Sequence, residues 1–285
     1  MHRKMIDRRR RSIVAAALGT PLWIGGVTSA AAPGSNFRVY DGLLHRGKPN
    51  LARLGFERIY WVGGLWRPGT PRDYVDEQGV IAALALLPYE ARTLYIDIEN
   101  WPLLGVSDSV RAQHIENFIV TAKIVRRVKP AVKFGFYGIA PLCIYWPIIR
   151  QDKEALAEWR AANRALQPLA DLVDFVLPSL YTAYDDHADW RKYAIASLDE
   201  ARQYRKPIYP FLWYEYFDGN PLLRGHVVNA TDWRDELDLC RECADGIVLW
   251  GGSERGWSES AGWWQSVLSF MGKPAASPTR APGPT

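Results

Sequence analysis

The stretch Leu94-Tyr95-Ile96-Asp97-Ile98-Glu99-Asn100-Trp101 places two carboxylates two residues apart at the end of an apolar run. Read as a β-strand, its side chains alternate, so Leu94, Ile96 and Ile98 share one face and Tyr95, Asp97 and Glu99 the other. Acids so spaced lie roughly 6.6 Å apart at the backbone, close enough to serve one substrate. Asn100-Trp101-Pro102 ends the run and is expected to bring an aromatic beside the acids. Retaining cleavage of a glycosidic bond usually needs two carboxyls about 5.5 Å apart that flank the bond. Acids on one strand lie on one side only, which suits a substrate that carries its own nucleophile. A 2-acetamido group can attack the anomeric carbon while one acid protonates the leaving oxygen and the other holds the acetamide N–H. Mutual repulsion and burial would raise one acid towards the range of a proton donor. The structural alternative is an ion pair of Asp97 or Glu99 with a nearby arginine.

Composition points the same way. Among 285 residues are 13 Trp, 14 Tyr and 9 Phe, more tryptophan than packing usually recruits. Flat apolar rings that also donate hydrogen bonds suit the faces of sugars. The net charge of +4 is concentrated at the amino terminus: six basic residues among the first eleven face the single Asp7, a surplus of five. The remainder therefore carries about −1, and no general nucleic-acid signature survives. Residues 1–32 read as an export signal, with Arg9-Arg10-Arg11 resembling a twin-arginine motif ahead of the apolar run Ile13 to Val27. That run is about fifteen residues long, too short for a good membrane span. An exported chain, periplasmic or secreted, is expected, with no stable membrane association once the signal is removed. Cys240 and Cys243 form a CxxC that reads as a strained local disulfide or free thiols, and Cys143 has no evident partner. Two nearby sulfurs without a histidine cluster do not make a zinc site, and no metal or cofactor is expected. His45, His114, His187 and His226 are scattered and accompany no nucleophile motif.

The acids need a scaffold, and the chain supplies one by alternation. Strand-like runs at Phe37–Tyr40, Phe56–Trp61, Leu94–Glu99, Lys133–Tyr137, Asp174–Leu177, Ile208–Tyr214 and Gly246–Trp250 are separated mostly by helical patterns. Asp41-Gly42 reads as a turn. The helices are expected at Asp76–Leu87, Asp108–Val128, Asp152–Leu166, Asp189–Tyr204, Ala230–Cys243 and from Trp263 to Met271. Strand and helix in alternation predict a parallel sheet. No glycine-rich phosphate fingerprint follows the first strand, which counts against a dinucleotide fold. The expected fold is therefore an α/β, TIM-like (β/α) barrel of about seven strands, the single domain of residues 33–272, followed by a Pro-rich tail at 273–285. Its carboxyl-end face would gather Glu99, Tyr137, Tyr181, Tyr214 and Trp250.

Four stretches in order resemble the hyaluronidases of animals and insect venoms, glycoside hydrolase family 56. Asp97-Ile98-Glu99-Asn100-Trp101 is similar to that family's Asp-x-Glu-x-Trp motif. Phe134-Gly135-Phe136-Tyr137, followed by Pro141-Leu142-Cys143, resembles its Trp-Gly-Tyr-Tyr strand and Pro-x-Cys loop. Leu177-Pro178-Ser179-Leu180-Tyr181 resembles its Pro-Ser-x-Tyr strand. Pro210 to Tyr214 and Ala244 to Gly251 look like its last two strands, most closely in the venom form. The resemblance implies a distorted barrel that cleaves β-linked N-acetylhexosaminides in a polysaccharide, as a monomer and without a cofactor. It implies Glu99 as general acid and base, with Asp97 orienting the acetamide. Tyr181 or Tyr214 would polarise the acetamido carbonyl, and Trp101, Tyr137, Trp213, Glu215 and Trp250 would contact substrate. The chain departs from the family where Pro102 follows Trp101 in place of an expected arginine, and in a shorter stretch before the Asp108 helix. Two other functions stay open: a glycan-binding barrel without turnover, and a glycosidase pairing Glu99 with Glu215.

Overall fold

A computed structural model describes residues 37–252 and 255–273; the expected signal and all of the Pro-rich tail past Lys273 lie outside them. Seven strands carry regular pairing: β1 (Arg38–Leu43), β2 (Glu57–Arg58), β3 (Tyr60–Val62), β4 (Thr93–Ile96), β5 (Lys133–Phe136), β6 (Phe211–Trp213) and β7 (Gly246–Gly251). They form the orders β2-β1-β7-β6 and β3-β4-β5, and every one of these pairs is parallel. Single parallel bridges then join Tyr137 to Leu177 and Ser179 to Phe211, so residues 176–179 bridge β5 and β6. Because β2 runs into β3 through Ile59, the ring closes into a parallel α/β barrel. Pro178 and Pro210 explain the thin pairing in that sector, since neither offers an N–H to a ladder.

Along each stave, side chains alternate between two apolar layers. Tyr40, Ile59, Tyr95, Leu177, Phe211 and Val248 belong to the inner cluster. Val39, Leu94, Ile96, Phe134, Leu212 and Leu249 belong to the layer under the helices. Among the described residues eight α-helices follow in chain order, α1 (Glu77–Ala85), α2 (Asp108–Val128), α3 (Tyr145–Arg150), α4 (Lys153–Ala165), α5 (Gln167–Leu172), α6 (His187–Ala201), α7 (Ala230–Cys243) and α8 (Gly262–Phe270). Their ends are written in the sequence. Asp76, Ser107, Asp152, Asp186 and Asn229 each accept a first-turn backbone N–H, the usual way of satisfying those donors. Helix α2 buries Ile115, Phe118, Ala122 and Val125 against the staves, the stripe its spacing predicts.

Three details differ from the sequence reading. Asp41-Gly42 continues β1 instead of turning. Asp41 is tolerated in a buried strand because Lys48 and Arg58 pair with it and it accepts the Leu43 N–H. A short 3-10 turn, Leu51–Leu54, stands between β1 and β2. Helices α3 and α5 form where no helix was expected. The three cysteines are free thiols, with Cys240 buried in α7.

The inner layer leaves no room at Gly135, which pairs with Tyr95. A Cβ there would lie 2.6 Å from the Phe175 carbonyl oxygen and 2.9 Å from its ring. Gly135→Ala is expected to cost about 1–3 kcal/mol, seen as a lower thermal midpoint; an unchanged midpoint would show that the inner layer is looser than this packing implies.

Candidate active site

The barrel's two-residue period decides which side chains reach its mouth. On β4, Tyr95 faces inward while Leu94 and Ile96 face the helices. Asp97 and Glu99 continue the Tyr95 series past the strand's end, and Ile98 returns to the outer layer. Asp97 is half-buried and Glu99 exposed. Neither makes an ion pair or a side-chain hydrogen bond among the described residues. Burial, and secondarily the charge of Glu99, push Asp97 up to about 6. The expected raised acid is thus Asp97, because it is the deeper of the two and has no cation beside it.

The same phase brings in the aromatic wall. Tyr137 follows the inward Gly135, Tyr181 follows Leu177, Trp213 follows Phe211, and Trp250 follows Val248. Tyr181 lies 5.6 Å from Trp250 with rings nearly parallel, 5.7 Å from Tyr137 and 5.5 Å from Trp213. The Tyr137 hydroxyl shares a hydrogen bond of 2.9 Å with Ser179 Oγ. Burial raises the pKa of Tyr95 to about 12 and lifts Tyr137 and Tyr181 further. These phenols stay protonated at any working pH and can donate to an oxygen. The Trp213 indole N–H is buried without an acceptor among the described residues. Gly251 permits this packing: its φ of +117° suits glycine, and a Cβ would meet the Trp213 ring at 2.5 Å.

Two expected site residues are out of phase. Trp101 is 2% exposed and lies in the outer layer. Its ring meets Trp66 and Phe118 edge-on, and its N–H donates to the Arg72 carbonyl at 2.8 Å. The chain turns after Glu99, and burial in the helix layer draws this ring away from the acids. Tyr214 follows the inward Trp213 and so faces outward. It stacks on Trp263 at 4.0 Å, and its hydroxyl lies 3.2 Å from His45 Nε2. On this stave Trp213, packed against Tyr181 and Trp250, holds the inward phase that the sequence reading gave to Tyr214. Glu215 is buried and its Oε1 lies 2.7 Å from Arg255 Nε, so its charge is already matched.

Sequence reasoning missed Trp61. It pairs in register with Tyr95, continues the inward Ile59 and remains 59% exposed. Its indole folds over Gly63, where a Cβ would meet the ring at 2.2 Å. The alternation of Ile59 and Trp61 was available as a signal; the register that sets Trp61 beside the acid-bearing strand was not. Among the described residues, no group of three His, Cys, Asp or Glu side chains is gathered to hold a metal ion, and no helix is long and apolar enough to cross a membrane.

No family model and no curated protein sequence matches the chain. Solved structures of similar fold include bee venom hyaluronidase, at 18% identity and a TM-score of 0.60 over 83% of this chain and 96% of that one. The same enzyme in complex with a hyaluronic acid tetramer aligns at 18% identity and a TM-score of 0.57, over 83% and 95%. At this identity the likeness shows the fold.

An unpaired, desolvated aspartate opposes folding when ionised. Because the folded value of Asp97 lies above its ordinary one, the cost is absent below about pH 4, grows between about 4 and 6, and is complete above that. Asp97→Asn should therefore stabilise the protein by roughly 1–3 kcal/mol at pH 7, with the gain vanishing near pH 4. Thermal melts across that range check it; a loss of stability at pH 7 would mean that Asp97 has a cationic partner in solution.

Proposed function

We propose that the chain is an exported, monomeric, retaining glycoside hydrolase of the hyaluronidase type, acting on β-linked N-acetylhexosaminides in a polysaccharide. The observation that carries this reading is the pair Asp97 and Glu99, without cationic partners, on one face of a barrel strand and ringed by Tyr95, Tyr137, Tyr181 and Trp250. The sequence motifs and the likeness in fold to bee venom hyaluronidase support it.

In this mechanism the acetamido carbonyl oxygen attacks the anomeric carbon as the glycosidic C–O bond breaks. Glu99, the more exposed acid, gives its proton to the leaving oxygen. Asp97 accepts the acetamide N–H, which aligns the nucleophile and stabilises the positive charge of the oxazolinium ring. Glu99 then takes a proton from the water that opens this ring, so the β configuration returns. Burial favours the protonated form of Asp97 in the free protein; the acetamide N–H that binds it favours its ionised form and leaves the pair's one proton on Glu99. Tyr181, with Tyr137 in place of Tyr214, donates to the acetamido oxygen, while Trp250, Trp213 and Trp61 pack against the sugars. A scheme pairing Glu99 with Glu215 is less well supported, because Glu215 is engaged by Arg255.

The test is release of new reducing ends from hyaluronan and chondroitin, beside Glu99→Gln. Wild-type release that falls roughly 10²–10⁴-fold in the variant is expected, as is inhibition by thiazoline mimics of the intermediate. Equal release by both proteins would remove Glu99 from the mechanism. Binding without release would make the barrel a glycan-binding module.

A further inference from the structure

The aromatic surface extends beyond Tyr181. Helix α3 follows β5 and so belongs to the carboxyl-end face of the barrel. Tyr145 ties it to the site: its hydroxyl lies 3.2 Å from the same Ser179 Oγ that holds Tyr137. The Tyr145 ring stacks on Phe217 at 5.4 Å, and Phe217 lies 5.8 Å from Tyr181. One step outward is Tyr184, whose hydroxyl donates to the Tyr145 carbonyl and whose ring meets Trp146 edge-on at 5.1 Å. Trp146 is 38% exposed. Arg150, one helical turn later, holds its guanidinium 5.4 Å from the centre of the Trp146 ring. Arg150 is exposed and makes neither an ion pair nor a hydrogen bond among the described residues.

We propose that Trp146 and Arg150 form an acidic-sugar subsite, in which a pyranose packs on the indole and Arg150 takes a uronate carboxylate. This rests on the reading of the mouth as a polysaccharide-cleaving site. An aromatic platform supplies affinity for any sugar, and the guanidinium supplies the charge selection, since its paired N–H donors match a carboxylate. The need for a cation is plain from the rest of the mouth. Asp97 and Glu99 repel an anionic chain, and Arg255 is already neutralised by Glu215. The cation–π contact holds the Arg150 side chain over the ring, so little side-chain freedom remains to be lost when the carboxylate arrives.

Affinities for hyaluronan and for N-acetylglucosamine oligosaccharides of equal length, measured by calorimetry in a Glu99→Gln background, test the subsite. Arg150→Gln is expected to weaken hyaluronan binding about five- to tenfold and neutral binding less than about twofold. Trp146→Ala is expected to weaken both. Keratan sulfate, which carries sulfate but no uronate, serves as a further arm, and a loss there equal to that on hyaluronan would overturn selection for the carboxylate. An equal loss on the neutral oligosaccharide, or none on hyaluronan, would overturn the subsite while reducing-end release still upholds the hydrolase. No binding and no cleavage of either glycan by the wild type would overturn both. Because Arg150 is exposed, an unchanged thermal midpoint is expected for Arg150→Gln and separates lost recognition from lost fold.

Discussion

The two-residue alternation of a closed parallel barrel constrains everything else in this molecule. Each stave contributes one side chain in two to the interior, and the inner layer is filled by Tyr40, Ile59, Tyr95, Phe175, Leu177, Phe211 and Val248. The next inward position on each stave then opens on the mouth. Asp97, Trp213 and Trp250 are there because Tyr95, Phe211 and Val248, two residues earlier, are anchored in the plug, while Tyr137 continues the phase of Gly135, and Tyr181 that of Leu177 four residues before it. A slip of one residue on β4 would drive Asp97 into the apolar layer under α1 and α2 and Ile96 into the barrel, so register and chemistry are specified together. Tight inner packing at Gly135 and the close approach at Gly251 pin the same register.

Burial has different consequences for the acids of this fold. Asp76 bonds Arg67, Thr70 and the first turn of α1, which hold its carboxyl below the usual range. Asp41 lies between Lys48 and Arg58. Those acids brace loops and strands. Among the described residues Asp97 has neither a cation nor a helix terminus beside it, so burial raises its charged form in energy. Glu236 is also buried, with His187 Nδ1 4.0 Å away, and it accepts the Thr182 hydroxyl at 2.7 Å, which anchors the loop that carries Tyr181. A desolvated carboxylate beside a second acid, in an open mouth, is what the proposed hydrolysis requires.

The hydroxyl relay behind the mouth joins the site to the outer face. Tyr137 and Tyr145 share Ser179, and the Tyr193 hydroxyl donates to the Ser179 carbonyl at 2.6 Å. Ordering of Tyr137 at the acids is therefore coupled to the placement of α3, the element that carries Trp146 and Arg150. One packed set of rings lines the barrel mouth at one end and presents an exposed indole and guanidinium at the other.

The sequence alone determined the local structure. Caps at Ser107 and Asn229 and the apolar stripe of α2 fix helices whose ends match their expected limits, and the alternation around Asp97 places both acids on the Tyr95 face. These features depend on residues within a few positions of one another, so periodicity and capping suffice to see them. The same period shows that adjacent Trp213 and Tyr214 cannot both line the mouth, although similar residue type at strand ends obscured it. Tertiary structure decided the rest. The outer layer captured Trp101 because an apolar ring with a carbonyl at Arg72 is better buried there than exposed beside two acids. Pairing of β3 with β4 brought Trp61 next to the acids, and packing on Tyr184 and Phe217 made a helix of Tyr145–Arg150. Each of these outcomes depends on partners tens of residues away, and that choice is made by shape and burial over the whole barrel, which no local pattern encodes.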